Sequence, residues 1–255
     1  MKLYFREFGQ GFPLIILHGL FGMSDNWMLP AKRFANHFHV FVPDLRNHGQ
    51  SPHNEDFSYH FMVLDMLEFF KDQKIEHFNM IGHSMGGKLA MHIALDYPEL
   101  VNKMVVGDIS PVNYPINESN EIIKIIKEIN LPAVSNRQEL NQMIHSATKN
   151  NLLQGLILKN ISSKNENGFY WKSNTQSILN NLENIYSFNS NNKKPFNKKV
   201  LFLKSDNEMY VSEKHYPEIS EFFPNNEIKT IRDTGHWLHA EKPDEFYDIC
   251  INYLL

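Results

Sequence analysis

Phe78-Asn79-Met80-Ile81-Gly82-His83-Ser84-Met85-Gly86-Gly87 decides how the rest of the chain is read. Its first half is a short apolar run that predicts a strand buried on both faces. The residues from Met85 to Tyr97 carry helical periodicity and end at Pro98, which cannot continue a helix. Between the two lies Gly82-His83-Ser84-Met85-Gly86, the pattern G-x-S-x-G in a strand–turn–helix setting. Ser84 must turn sharply there in a strained backbone conformation. Side chains at 82 and 86 would collide with the neighbouring strands and the helix start. The expected product is an exposed hydroxyl at a helix amino terminus, where free N–H groups favour a developing negative charge.

Outward from this turn, Leu14–Leu17, Val40–Val42 and Lys103–Gly107 repeat the buried-strand pattern, with an apolar-periodic helix over Tyr59–Gln73. Strands alternating with helices predict a mostly parallel sheet covered on both faces. From 112 to 193 the pattern changes. Helical segments such as Glu118–Glu128 and Gln138–Thr148 appear without a clear strand, and the stretch 130–197 is so rich in asparagine that it reads as compositional drift as much as structure. Val200–Leu203 and Glu227–Ile231 resume the strand pattern, and Pro243–Leu254 closes the chain as a helix. The expected organisation is an α/β core of 1–111 and 194–255, with 112–193 inserted as a helical cap over the carboxyl ends of the strands, where ligands bind.

The 255 residues are 42% hydrophobic and 21% charged, the profile of a globular protein, and 25 basic against 29 acidic residues give a net charge of −4. So weak an acidic balance argues against bulk affinity for nucleic acid or anionic membrane. No apolar run approaches the roughly 20 residues of a membrane span. A single cysteine, Cys250, leaves no intrachain disulfide framework or multi-cysteine metal site. The amino-terminal apolar run is broken by charges too early for a secretory signal, so a cytoplasmic location is expected. The oligomeric state is left open.

A serine hydroxyl is a weak nucleophile near neutrality and needs a base. Of the 13 histidines, His236 stands on the last loop, after the final predicted strand and before the terminal helix, with Gly235 to let the loop reach inward. His239 is its competitor, read as a residue of the helix approach. Two N–H donors are then needed for an oxyanion. Met85 offers one at the first turn of its helix; Leu20, in the loop His18-Gly19-Leu20-Phe21-Gly22, offers the other, with Phe21 as the alternative. Asp44, Arg46 and His48 read as a bracing loop rather than as metal ligands, whose spacing they lack.

The serine motif, the His18-Gly19 loop, Pro43-Asp44-Leu45-Arg46-Asn47-His48-Gly49-Gln50-Ser51 and Gly235-His236-Trp237 together resemble the α/β-hydrolase superfamily, and within it the bacterial YbfF-type esterases and their mitochondrial relatives. Asp108-Ile109-Ser110-Pro111-Val112 and His239-Ala240-Glu241-Lys242-Pro243 extend the likeness. It implies an α/β-hydrolase fold and cleavage of a small-molecule acyl ester or acyl thioester through an acyl-enzyme, with no metal and no cofactor. Acyl transfer, carbon–carbon bond hydrolysis and a non-catalytic ligand-binding role are the alternatives on the same scaffold. Most of the superfamily carries the supporting acid in the loop after the cap, here Asp206 or Glu208. Similar esterases carry it where Asp108 stands, which is the preferred assignment. Phe21, His83, Tyr170, Trp171 and Trp237 are the candidates for the substrate pocket wall.

Overall fold

A computed structural model describes residues 1–116, 120–163, 168–189, 193–206 and 209–255. Its strands are β1 (Phe5–Phe8), β2 (Pro13–Leu17), β3 (His39–Pro43), β4 (Phe78–His83), β5 (Val101–Gly107), β6 (Ile161–Ser163), β7 (Phe169–Trp171), β8 (Val200–Lys204) and β9 (Asn226–Thr230). Seven of them form one sheet in the order β1-β3-β2-β4-β5-β8-β9. β1 runs antiparallel to β3, and all other neighbours are parallel. The helices are α1 (Met28–Phe34), α2 (Tyr59–Asp72), α3 (Met85–Asp96), α4 (Glu121–Glu128), α5 (Arg137–Ala147), α6 (Asn151–Lys159), α7 (Thr175–Asn180), α8 (Leu182–Tyr186), α9 (Tyr216–Phe222), α10 (Leu238–Glu241) and α11 (Pro243–Leu254).

The continuous apolar runs follow from this arrangement. Successive side chains of a strand face opposite sides, so Leu14 and Ile16 enter the layer formed with Phe34 and Phe246 of α1 and α11. Ile15 and Leu17 enter the other layer, with Met66 and Phe69 of α2 and Leu89 and Ile93 of α3. Leu14, Ile15, Ile16 and Leu17 are all fully buried. No helix among the described residues is long and apolar enough to cross a membrane.

Between β5 and β8 the chain forms α4–α8 and a small antiparallel hairpin, β6 with β7, registering Ile161 against Trp171. No strand was expected in this stretch. Three-residue strands hold too little alternation to stand out from helical neighbours. The asparagines have a structural use: Asn120, Asn136, Asn150 and Asn174 each accept a backbone N–H at the start of a helix, as N-caps do. The helix expected from Glu118 begins at Glu121; residues 117–119 lie outside the described residues.

Candidate active site

Ser84 sits between β4 and α3 with φ +53° and ψ −120°, a region that side chains rarely occupy. Two contacts enforce it. A Cβ on Gly82 would strike the carbonyl oxygen of Gly86, and one on Gly86 would strike that of Leu17 in β2. The sheet ladder continues past the strand, with the Ser84 N–H donating to the Gly107 carbonyl at 2.9 Å. Phe21, Asp108 and Asp233 also have positive φ, so such conformations recur just beyond β2, β4, β5 and β9. Backbone strain is concentrated where the strands end.

Three side chains are joined in series there. His236 Nε2 lies 2.9 Å from Ser84 Oγ, and His236 Nδ1 lies 2.8 Å from Asp108 Oδ2. Asp108 is 1% exposed, and its Oδ1 accepts from both the N–H and the hydroxyl of Ser205. Asp206 does not join the series; its carboxylate accepts the N–H of Asp233 instead. Glu208 lies outside the described residues. His239 stacks flat on Trp27, ring centroids 4.0 Å apart, and makes no hydrogen bond to Ser84.

Sequence reasoning missed the partners that hold His236. Glu241 accepts the N–H of Gly235 at 2.7 Å and that of Trp237 at 3.1 Å, clasping the backbone on both sides of the histidine. The sequence signal was a glutamate five residues after His236. The His83 ring donates from Nε2 to the His236 carbonyl at 2.7 Å. Burial, with His236 alongside, pushes His83 down to about 3, so it stays a neutral donor.

The loop after β2 is braced in the same way. Leu45 N–H donates to His18 Nε2, which leaves the Nδ1–H to donate to the Gly19 carbonyl at 2.8 Å. The Phe21 N–H donates to His48 Nε2 at 3.0 Å, and the His48 Nδ1–H donates to the Arg46 carbonyl. Burial lowers His18 to about 4 and His48 to about 3, keeping both neutral. The Phe21 N–H is therefore occupied. The Leu20 N–H has no protein acceptor among the described residues, and the Met85 N–H belongs to the first turn of α3, whose amides lack intrahelical partners. Gly19 lets this loop approach: a Cβ there would stand 3.3 Å from Ser84 Cβ. Asp44 accepts the N–H of Ser24 and of Gln50, and Arg46 pairs with Asp65, so the segment after β3 is structural bracing. No cluster suited to a metal ion occurs among the described residues.

Ser84 opens into a cavity of about 710 Å³ beneath the inserted helices. His83 and Trp237 line it, with Ile122, Leu153, Leu156 and Ile185 supplying apolar wall from the insertion. Three of the expected wall residues are elsewhere. Phe21 is buried, its carbonyl accepting from Asn160 of the insertion. Tyr170 and Trp171 belong to the β6–β7 hairpin, away from the cavity wall. Aromatic residues packed on a hairpin cannot be told from pocket aromatics by sequence.

A family model described as the alpha/beta hydrolase fold matches residues 13–243. The chain belongs to this family. Among relatives of this α/β hydrolase, the sn-1-specific diacylglycerol lipase ABHD11 of Danio rerio is 35% identical over 96% of this chain and 79% of its own length. Esterase YbfF of Escherichia coli K12 is 29% identical over 95% and 92%. A solved structure titled marine microorganism esterase superposes with a TM-score of 0.94 at 39% identity, covering 99% of each chain. The likeness to the YbfF-type group thus holds along nearly the whole α/β hydrolase chain, the inserted helices included.

Proposed function

We propose that this α/β hydrolase is a serine hydrolase that cleaves carboxylic esters or acyl thioesters through an acyl-enzyme on Ser84. One observation carries the reading: the unbroken series Ser84 Oγ, His236, Asp108, at 2.9 and 2.8 Å, set on a strained turn at a helix amino terminus. The names of the relatives, lipase and esterase, point to the same bond class.

In the first step Ser84 Oγ attacks the substrate carbonyl carbon while His236 Nε2 takes its proton. Asp108 keeps Nδ1–H turned toward itself and stabilises the imidazolium that forms. The oxyanion collects the N–H groups of Leu20 and Met85 and the positive end of α3. As the tetrahedral intermediate collapses, the leaving alcohol or thiol takes the proton from Nε2, and the acyl group stays on Ser84. Water then attacks with His236 as base, releasing the acid and returning the proton to Ser84.

The apolar wall suits an acyl chain, each enclosed CH₂ contributing about 0.8 kcal/mol to binding. The test is a series of p-nitrophenyl esters from acetate to octanoate on the native protein and on Ser84→Ala. The native protein should turn over the series with a chain-length preference and be labelled at Ser84 by a fluorophosphonate; the variant should do neither. A variant that kept most of the native kcat would end the proposal.

A further inference from the structure

The segment 185–188, where the insertion returns toward the core, is tied to the core at Ile185, Tyr186 and Ser187. Tyr59 of α2 donates its hydroxyl to the Ile185 carbonyl at 2.9 Å. Lys88 of α3 donates from Nζ to the Tyr186 carbonyl at 2.7 Å and to the Ser187 carbonyl at 2.9 Å. The Tyr186 carbonyl also accepts the Tyr114 N–H, and the Phe188 N–H donates to the Asn113 side chain at 2.6 Å. These carbonyls end α8, whose last turn leaves carbonyls without helical partners and carries the negative end of the helix dipole. A cation there is well placed.

Lys88 is an unusual residue for such a task. It is 1% exposed and lies one helical turn beyond Ser84 on the same helix. Among the described residues no carboxylate pairs with it; its partners are the two carbonyls and the Tyr114 ring, whose centroid is 4.8 Å from Nζ. Burying an unpaired ammonium is costly, and burial lowers this one to about 7. The chain carries that cost at the one place where the nucleophile helix, the returning segment and the cavity wall meet, since Tyr59, Lys88, Tyr114, Ile185 and Tyr186 all line the cavity.

We propose that Lys88 is a specificity-determining positioning residue: it straps the 185–188 segment to the nucleophile helix and so holds Ile185 and Tyr186 in place as the wall against which a long acyl chain packs. This rests on the acyl-enzyme reading above. The Tyr59 hydroxyl is the second tie on the same strap.

The sign of the effect separates a strap from a mere wall residue. If Lys88 only lined the cavity, Lys88→Met would make that wall more apolar and raise the preference for long chains. A strap predicts the reverse, because the methionine cuts the tie between the nucleophile helix and the Tyr186 and Ser187 carbonyls, leaving Tyr186 only the Tyr114 N–H within the insertion, and the wall moves away. The octanoate-to-acetate ratio of kcat/KM should fall about tenfold in Lys88→Met, the loss expected for one buried hydrogen-bonded tie. Tyr59→Phe, which removes one hydroxyl and is the milder change, should lower the ratio less, and the double variant should lose less than the product of the two. A ratio that rises, or equal losses on both esters, in either variant overturns the strap. Fluorophosphonate labelling of the same samples keeps the two proposals apart. An unlabelled native protein sinks the acyl-enzyme, whereas a labelled one whose ratio is insensitive to both substitutions sinks the strap alone.

Discussion

Asp108 reaches His236 from a strand that does not adjoin the one before it: Oδ2 lies 2.8 Å from Nδ1, across the carboxyl ends of β5 and β9, with β8 between them. Asp206, in the loop after β8, ties down Asp233 instead. Asp108→Asn should therefore lower kcat by about 10⁴, because the amide favours the wrong imidazole tautomer. Asp206→Asn should cost less than about tenfold, through a looser loop. Steady-state kinetics of both variants, with Glu208→Gln beside them, check this; a crippled Glu208→Gln with an active Asp108→Asn would reverse the assignment.

The φ of +53° at Ser84 makes a second prediction. Alanine and glycine at this position both remove the hydroxyl, but only glycine relieves the backbone. Ser84→Gly should be more stable than Ser84→Ala by about 1 kcal/mol, with both inactive. Urea unfolding of the pair measures it, and equal midpoints would show that the turn is not strained.

Glu241 tests positioning without touching Ser84. Its two oxygens hold the N–H groups of Gly235 and Trp237. Glu241→Ala should lower kcat about 10- to 100-fold with little change in KM, as expected when a reacting group is displaced by about an ångström. Glu241→Gln, which keeps one acceptor oxygen, should recover part of the loss. Unchanged kcat in the alanine variant would mean that the loop holds itself.

Acid should unfold the protein through its buried histidines. His18 gains a proton in the fold only near 4, and His48, His83 and His92 only near 3, against about 6.5 when unfolded. Between these values the unfolded chain binds more protons, so stability is complete above about pH 6.5 and is lost as pH falls toward 3–4. Each such histidine contributes a slope of about 1.4 kcal/mol per pH unit. The urea midpoint should drop steeply between pH 7 and 5, with uptake of several protons on unfolding at pH 5. A midpoint flat over that range would contradict the neutral-histidine bracing.

The sheet and the serine turn were legible in the sequence because their signals are local. Buried parallel strands are continuous apolar runs, and the turn at Ser84 needs glycines at fixed offsets, where a Cβ would strike Gly86 or Leu17. β1 escaped that reading: Phe5-Arg6-Glu7-Phe8 is an edge strand, half-exposed and charged in its middle. Likewise β6 and β7 are too short to carry a period.

What the sequence determined by itself is therefore the α/β order and the residues brought to the strand ends: Ser84, His236 and three carboxylates from which to choose. Which carboxylate meets the imidazole was decided only in three dimensions, by the register that sets β5 beside β8 and by the Asp233 N–H that takes Asp206. The same holds for the loop donors, since the sequence allowed Leu20 or Phe21 until His48, 27 residues away, took the Phe21 N–H. The wall of the cavity was decided there too: Tyr170 and Trp171 went to a hairpin, and Lys88 went inward to the carbonyls of Tyr186 and Ser187. Periodicity records which face of an element is apolar. Hydrogen-bond partners distant in sequence leave no periodic trace, because each is chosen by the packing of whole elements rather than by its neighbours along the chain.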